Sequence, residues 1–413
     1  MSLELSAGRQ YDAVYRARDV VVALFFIGSD ILTYSLFHDI MRVAITALHV
    51  GMMVFSDTRQ PMRLQLVWQS LFIVYFAFHT AFGAAINEDT AANQVLRCVL
   101  LMAQLNVLIC MIMSEDGLRK FMNIYVAVTL VKTAVVFLTQ GGELGNARLG
   151  EIVIPLPVLG LVQYNANGFG MSCALCILFQ MYLFDGEKKE WWRFAFMAVN
   201  AITILLTGSR KSLMLIVMFT FIFQFFNKPH HRLRTILLTG GLCTLGLVLI
   251  LNVESLYKVI GYRFINLMQS FVGGELEEGS AISRNKMINA AVYWLEMRPF
   301  TGYGLNNFQY LSGSYGTYSH NNYTELMVSG GIQTLLLYYW FYVYLIFQNL
   351  VHYTKERKVR ALSLCLAIIL PIIEYGWVTY SAGLAMVYLA VACAFPARLN
   401  HEKRQAERSV WWV

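Results

Sequence analysis

The sequence predicts an all-α, polytopic bundle of about 12 membrane-spanning helices, and three observations carry that expectation. Of 413 residues, 57% are hydrophobic and 14% charged, where soluble domains hold about 45–50% and about 25%. Mean hydropathy is +0.53, and 12 spans of about 20 residues would use about 58% of the chain, close to its hydrophobic share. Aromatics make up 14% and there are seven prolines, a composition that excludes a disordered chain. A soluble enzyme carrying one anchor is excluded as well.

Apolar runs bounded by charged or turn residues fall at 20–37, 40–56, 64–86, 93–113, 118–139 and 168–184, then at 191–207, 211–226, 235–252, 323–348, 361–380 and 381–396. The first has no small-residue cleavage site and leads at once into the second, so it reads as a retained span. The runs divide the chain into spans one to nine over 1–252, with a shorter outer segment at 141–167. A large outer loop follows at 253–322, then spans ten to twelve over 323–396 and a basic tail at 397–413.

Lysines and arginines orient these spans. With the N-terminus inside, the cytoplasmic segments hold 21 of the 32 basic residues, the outer segments eight, and three lie within spans. Both termini are therefore expected in the cytoplasm. The net charge of +7 belongs to topology, and nucleic acid is not an implied partner. All seven cysteines fall in the expected spans, and the Cys173–Cys176 pair reads as small-residue helix packing before redox chemistry.

The two outer segments are too long for turns, and long connections of this kind tend to be functional. Within the second, SRNKMINAAVYWLEMRP (283–299) predicts a helix capped by Ser283 and closed by Pro299, with Met287, Ile288, Ala291, Val292 and Leu295 on one face. GGELEEG, with Glu275, Glu277 and Glu278, reads as a solvated acidic turn before a cation site.

The cations that break the topological rule are the informative ones. Arg210 and Lys211 sit in the tight outer turn TGSRKS, Arg148 in the first outer segment and Arg284 at the start of the amphipathic helix. Snorkelling or plain solvation is the bland alternative for each. Arg42, Arg97 and Lys132 lie inside spans, in their outer halves, where a cation is costly and usually faces a partner or a cavity. Asp30 and Glu374 are candidate counter-ions, so Lys132 reads first as half of a structural pair. Together these charges surround one level of the membrane, as a site for a lipid-linked pyrophosphate would, and guanidinium forks suit its oxygens.

SHNNYTEL (319–326) adds the other candidate. His320 stands where the loop meets a helix, with Ser319 or Asn321 able to cap, and histidine is the side chain most readily tuned to take a proton near neutral pH. Asn322 and Glu325 are placed to orient its ring or a sugar hydroxyl. There is no P-loop, H-E-x-x-H, G-x-S-x-G or clear DxD pair. Asp39 reads as an interface residue before an acid of the lipid-glycosyltransferase kind.

Arg284 and Trp294, PFTGYGLNNF (299–308), SHNNYTEL (319–326) and the Gly330–Gly331 pair together resemble the signature of the O-antigen ligase/polymerase superfamily. TGSRKS (207–212) resembles its arginine turn, and RLG from Arg148 with YNANG (164–168) resembles the segment ahead of span six. The resemblance is close over about 145–345 and topological elsewhere. It implies a bacterial inner-membrane, inverting glycosyltransferase that takes glycan from an undecaprenyl-pyrophosphate donor at the outer face. Carried onto this chain, Arg210 and Arg284 hold the pyrophosphate, with Arg148 a weaker candidate, and His320 activates or orients the acceptor hydroxyl. Lys211, Arg97, Asn322 and Glu325 are further substrate-binding candidates. Fixed cations at the leaving group would dispense with a metal, and no cofactor is implied.

A lipid-linked repeat as acceptor would make the chain a polysaccharide polymerase; a lipid A-core or protein acceptor would make it a ligase. The form S-H-N-N-Y-x-E-L followed by a double glycine inclines towards the polymerase. Expected partners are the lipid-linked donor, a glycan or lipid-linked acceptor, membrane lipids, and a chain-length regulator or flippase. A transporter of lipid-linked oligosaccharide is the rival class; it would call for inverted repeats and broken helices near mid-depth, and no internal repeat is visible.

Overall fold

The computed structural model describes residues 16–55, 62–141, 148–186, 190–254, 257–262, 265, 279–352 and 356–410. Each of the 12 apolar runs corresponds to helix. They are α1 (16–26), α2 (Leu36–Phe55), α3 (Arg63–Ala81), α4 (Glu88–Ile112), α5 (Glu115–Gln140), α6 (Ala166–Leu183), α7 (Trp192–Thr207), α8 (Arg210–Asn227) and α9 (Arg232–Asn252). The outer helix α10 (Gly279–Met297) follows, then α11 (Asn322–Gly330), α12 (Gln333–Val351), α13 (Arg357–Ile373), α14 (Gly383–Ala392) and α15 (Ala394–Val410). Glu275, Glu277, Glu278, Arg9, Arg59, Lys188, Lys189 and Lys355 lie outside the described residues.

The expected count of 12 spans is not met. Among the described residues, nine helices are long and apolar enough to cross a membrane, or ten if α14 and α15, bent by 51°, form one span. The shortfall has local causes. The described part of α1 gives way to a π turn at Ile27–Ile31, and α7 has only 16 residues. The run at 381–396 is bent at Cys393. The run at 323–348 is broken at Gly331, which splits α11 from α12, although α12 alone is still long enough to span.

That break has a steric reason. Tyr303 N donates to Val328 O at 2.9 Å, Gly304 N to Ser329 O at 2.8 Å and Ile332 N to Pro299 O at 2.8 Å, so the FTGYG strip runs against the α11 end backbone to backbone. A Cβ on Gly302 would lie 2.6 Å from Gly330 N. Gly302 and Gly331 also stand at φ +62° and +88°, where only glycine is at ease. The sequence thus ties the FTGYG strip to the end of α11 through glycines.

α10 packs Met287 and Ala291 onto Tyr303, Phe308, Leu311 and Val328, with Trp294 and Leu295 partly covered. The helix begins at Gly279, so Ser283 is an interior residue and not its cap. Val292, expected on the packed face, is exposed; Trp294 takes that place and donates to Ser312 O at 3.0 Å.

One element departs from the all-helical expectation. Ile152–Leu156 (β1) and Gly160–Tyr164 (β2) form an antiparallel hairpin that pairs Ile152 with Tyr164 and Leu156 with Gly160. It docks on the start of α2, where Leu36 N donates to Leu159 O at 3.0 Å and Gln163 N to Thr33 O at 3.2 Å. In the bundle, α6 is the most enclosed span, 83% of its apolar window buried, while the window over Pro229–Asn252 is 12% buried and presents its apolar side chains outward. α4, α6, α13 and α14 therefore form the rigid centre on which the polar cavity is built.

Candidate functional site

A cavity of about 1220 Å³ opens at the end of the bundle that carries the hairpin, α10 and the N-termini of α2, α4, α6 and α8. The residues 377–382, irregular between α13 and α14, contribute Trp377, Val378, Ser381 and Ala382 to its wall.

TGSRKS builds one side. Gly208 ends α7 at φ +60°, and Ser209 caps α8, its hydroxyl accepting from Ser212 N at 3.4 Å. Arg210 and Lys211 are thus the first two residues of α8, where the positive end of the helix dipole adds to their own charge. Lys211 Nζ donates to the carbonyl of Gly376. Arg148 braces the same turn: its guanidinium donates to Thr207 O at 3.0 Å and Asn167 Oδ1 at 3.0 Å and lies 3.6 Å from Glu151.

His320, just ahead of α11, lines the same cavity as that turn. Its backbone is left-handed, φ +57°, and Asn321 caps α11 by accepting from Tyr323 N at 2.9 Å and Thr324 N at 3.3 Å. The ring packs on Tyr318, centroids 4.3 Å apart. Burial first, then the charges of Arg284 and Lys211, hold its imidazole down to about 4, so it is neutral near pH 7. Arg284 from α10 and Lys211 from α8 therefore meet at one histidine although 73 residues of chain separate them.

Arg97 lines the same cavity with Arg42, His38 and Gln94, and Lys132 lies deeper, 3.7 Å from Asp30 and over the rings of Tyr164 and Phe169. Lys132 is thus a buried ion pair, as its candidate counter-ion implied. Glu374 has a different role: it accepts from Tyr342 Oη at 3.0 Å, Asn322 Nδ2 at 3.2 Å and the Thr379 hydroxyl. Asp39 sits in the first turn of α2, largely exposed and 3.9 Å from Arg42. It is not part of the cavity wall.

Six of the eight residues singled out from sequence line this cavity: His320, Arg210, Lys211, Arg284, Arg148 and Arg97. The other two do not. Asn322 is fully buried, donating to Tyr339 Oη at 3.0 Å and to Glu374, and accepting from Thr379 N at 3.0 Å. Glu325, also buried, accepts from Ser319 N at 2.8 Å. Direct substrate contact is thus corrected to a supporting place behind the His320 loop, because the helix that starts at Asn322 turns both side chains into the protein. Sequence reading missed Tyr34, His38, Tyr318 and Trp377, all on the cavity wall; the only local signal was the HD pair, His38–Asp39, beside an in-span arginine.

In charge terms, seven lysines and arginines line the cavity against two carboxylates, Asp30 and Glu151. Such a chamber suits a polyanion held by forked donors. Residues 195–339 match the family model described as O-Antigen ligase, about a third of the chain, and the match supports the O-antigen ligase/polymerase superfamily. It contains Arg210, Lys211, Arg284 and His320 and excludes Arg42, Arg97 and Arg148. No curated protein matches the chain.

Proposed function

With the O-antigen ligase/polymerase superfamily as premise, we propose that this membrane enzyme is an inverting, metal-independent glycosyltransferase that polymerises undecaprenyl-pyrophosphate-linked repeat units. The observation that carries the reading is the meeting of Arg210, Lys211, Arg284 and His320 in one cavity from three separate elements. The chain would lie in a bacterial inner membrane with both termini cytoplasmic, the cavity at the outer face, and 253–322 as the outer loop that completes it.

In the proposed step the donor pyrophosphate binds Arg210 and Arg284. The bond between the anomeric carbon and the phosphate oxygen breaks as an acceptor hydroxyl attacks from the opposite side. The electron pair leaves with the lipid pyrophosphate, whose charge the guanidiniums stabilise, and the hydroxyl proton passes to His320. Binding of the dianion beside Arg284 and Lys211 offsets the charges that hold His320 down, so donor binding itself raises the basicity of the ring. Asn322, Glu325 and Glu374 keep the loop and the Gly376 carbonyl in place. A chain-length regulator or flippase fits as partner.

The test is transfer by the purified enzyme in nanodiscs on a lipid-pyrophosphate-linked repeat, read as a product ladder with the linkage configuration assigned by NMR. Retained configuration, or full activity in Arg284→Gln, sinks the assignment. Single products on a lipid A-core acceptor, with no ladder, would make the enzyme a ligase. The two interrupted helices, at Gly331 and at Cys393, give the transport reading one supporting feature; lipid-linked glycan moved across vesicles without new glycosidic bonds would favour it.

A further inference from the structure

The cavity holds a second group of cations that the proposed donor site leaves unused. Arg42 lies six residues into α2 and Arg97 nine residues into α4, and both line the cavity. The one carboxylate recorded beside Arg42 is Asp39, at 3.9 Å and largely exposed, and Arg97 Nε is buried with no partner among the described residues. Bringing two arginines together inside spans without a matching acid is costly, and an anion bound between them removes the cost. His38 completes the group: Tyr34 N donates to His38 Nδ1 at 3.3 Å, so the ring carries its proton on Nε2, a donor.

This group is separate from the first. His38 and Arg42 lie on α2 and Arg97 on α4, whereas Arg210 and Lys211 lie on α8, Arg284 on α10 and His320 just ahead of α11. Tyr34 and Tyr318, whose ring lies tilted against that of His320 with centroids 4.3 Å apart, line the same cavity. Two groups of cations thus share one chamber with the proposed base.

Resting on the proposed transferase reading, we propose that Arg42, Arg97 and His38 bind the pyrophosphate of the acceptor, which is itself a lipid-linked glycan. Depth favours a lipid phosphate over an acidic sugar: both arginines sit within spans, at the level where a polyprenyl anchor holds its headgroup, and a sugar carboxylate several residues along the glycan would stand further out. The group falls outside residues 195–339, so it would set which acceptor this chain uses while the matched region performs transfer.

The experiment is a binding titration of undecaprenyl pyrophosphate to the full chain in phosphatidylcholine nanodiscs, with stoichiometry read by native mass spectrometry. Two lipids per wild-type chain are expected, falling to one in Arg42→Gln/Arg97→Gln and to a different one in Arg210→Gln/Arg284→Gln. The lost site should weaken roughly tenfold to hundredfold, as expected when charged hydrogen bonds are removed. Arg97→Lys, which keeps the charge and loses the fork, should fall between. One lipid in the wild type, insensitive to Arg42→Gln/Arg97→Gln and lost in Arg210→Gln/Arg284→Gln, overturns this inference and leaves the donor site standing. One lipid lost only with Arg42 and Arg97 overturns the donor assignment instead. Lipid A displacing undecaprenyl pyrophosphate from the Arg42 site alone would replace the lipid-linked acceptor with a ligase substrate and overturn the proposal.

Discussion

The two ends of the bundle use cations in opposite ways. At the end proposed to face the cytoplasm, Arg398 lies 3.0 Å from Glu115 and 2.9 Å from Glu356, and Arg119 reaches Glu115 at 2.9 Å and Asp185 at 2.9 Å. Lys358 also pairs with Asp185, at 2.7 Å, and Arg18 with Asp19 at 2.8 Å. Arg398, Arg119 and Lys358 tie separate parts of the chain together, while Arg18–Asp19 and Arg119–Glu115 are pairs within one helix. At the opposite end, seven cations line one chamber with two carboxylates, Lys132 pairing with Asp30 and Arg148 with Glu151. Positive charge that acids neutralise is structure; positive charge left in surplus around a void is a site waiting for an anion.

The sharpest way to break that comparison is to remove cations at each end and ask what is lost. Arg210→Gln combined with Arg284→Gln should cut transfer by about 10⁴-fold or more, since each fixed donor at developing negative charge contributes about 10²–10³. The melting temperature in detergent should barely move. Unfolding of the double variant at the wild-type assay temperature would mean these arginines were braces after all.

His320→Ala should lower kcat about 10²-fold or more, the usual range for a positioned base. The sign of its pH dependence follows from its environment. Burial first, then Arg284 and Lys211, disfavour the imidazolium, so the proton-accepting form is present above about pH 4 and is lost as pH falls through that value. The acid limb of kcat/KM, which reports the free enzyme, should lie near 4. The limb of kcat should lie at higher pH, because bound pyrophosphate offsets the two cations. Coincident limbs would show that the donor does not sit beside His320.

Much of this was legible because topology makes some residues improbable. Arg210, Lys211, Arg284, Arg148 and Arg97 stand out as cations on the wrong side or inside spans, and a charge against the positive-inside pattern needs a reason. Tyr34, His38 and Tyr318 do not stand out; nothing marks a tyrosine in a loop until folding brings it to the same wall as Arg42 and His320. Asn322 and Glu325 misled for a geometric reason, since sequence proximity to His320 carries no direction once a helix begins. The hairpin was hidden by its apolar content: Ile152, Ile154 and Leu156 alternate inward over only five residues, too short a period to separate from an apolar loop. The span count failed at the π turn after α1, at the 16-residue α7 and at the bend at Cys393, none of which composition can see.

At the paired end, Arg398→Gln should give the converse of the arginine variants in the cavity. Arg398 is buried, but its partner acids Glu115 and Glu356 are 44% and 36% exposed, so its removal should cost about 1–3 kcal/mol, less than the loss of a partner from a wholly buried pair. A lower melting temperature is expected, with turnover per folded molecule unchanged. Loss of turnover without loss of stability would contradict the division between the two ends.

The smallest effect should come from Asp185, where the pairing is exposed. Hydrogen bonds from Arg119, with Lys358 close by, hold its carboxyl down to about 2. Because the folded value is depressed, its contribution is fully present above the unfolded value of about 4 and is lost as pH falls from there towards about 2. At pH 7 Asp185→Asn should cost no more than about 1 kcal/mol, since water and salt screen a pair whose acid is 41% exposed. The difference in stability from wild type should shrink in high salt and vanish near pH 2, while glycan transfer at pH 7 matches wild type. A loss that persists in high salt and at pH 2 would mean that Asp185 acts through packing, and that even the exposed rim of this end is built as a core and not as a set of surface pairs.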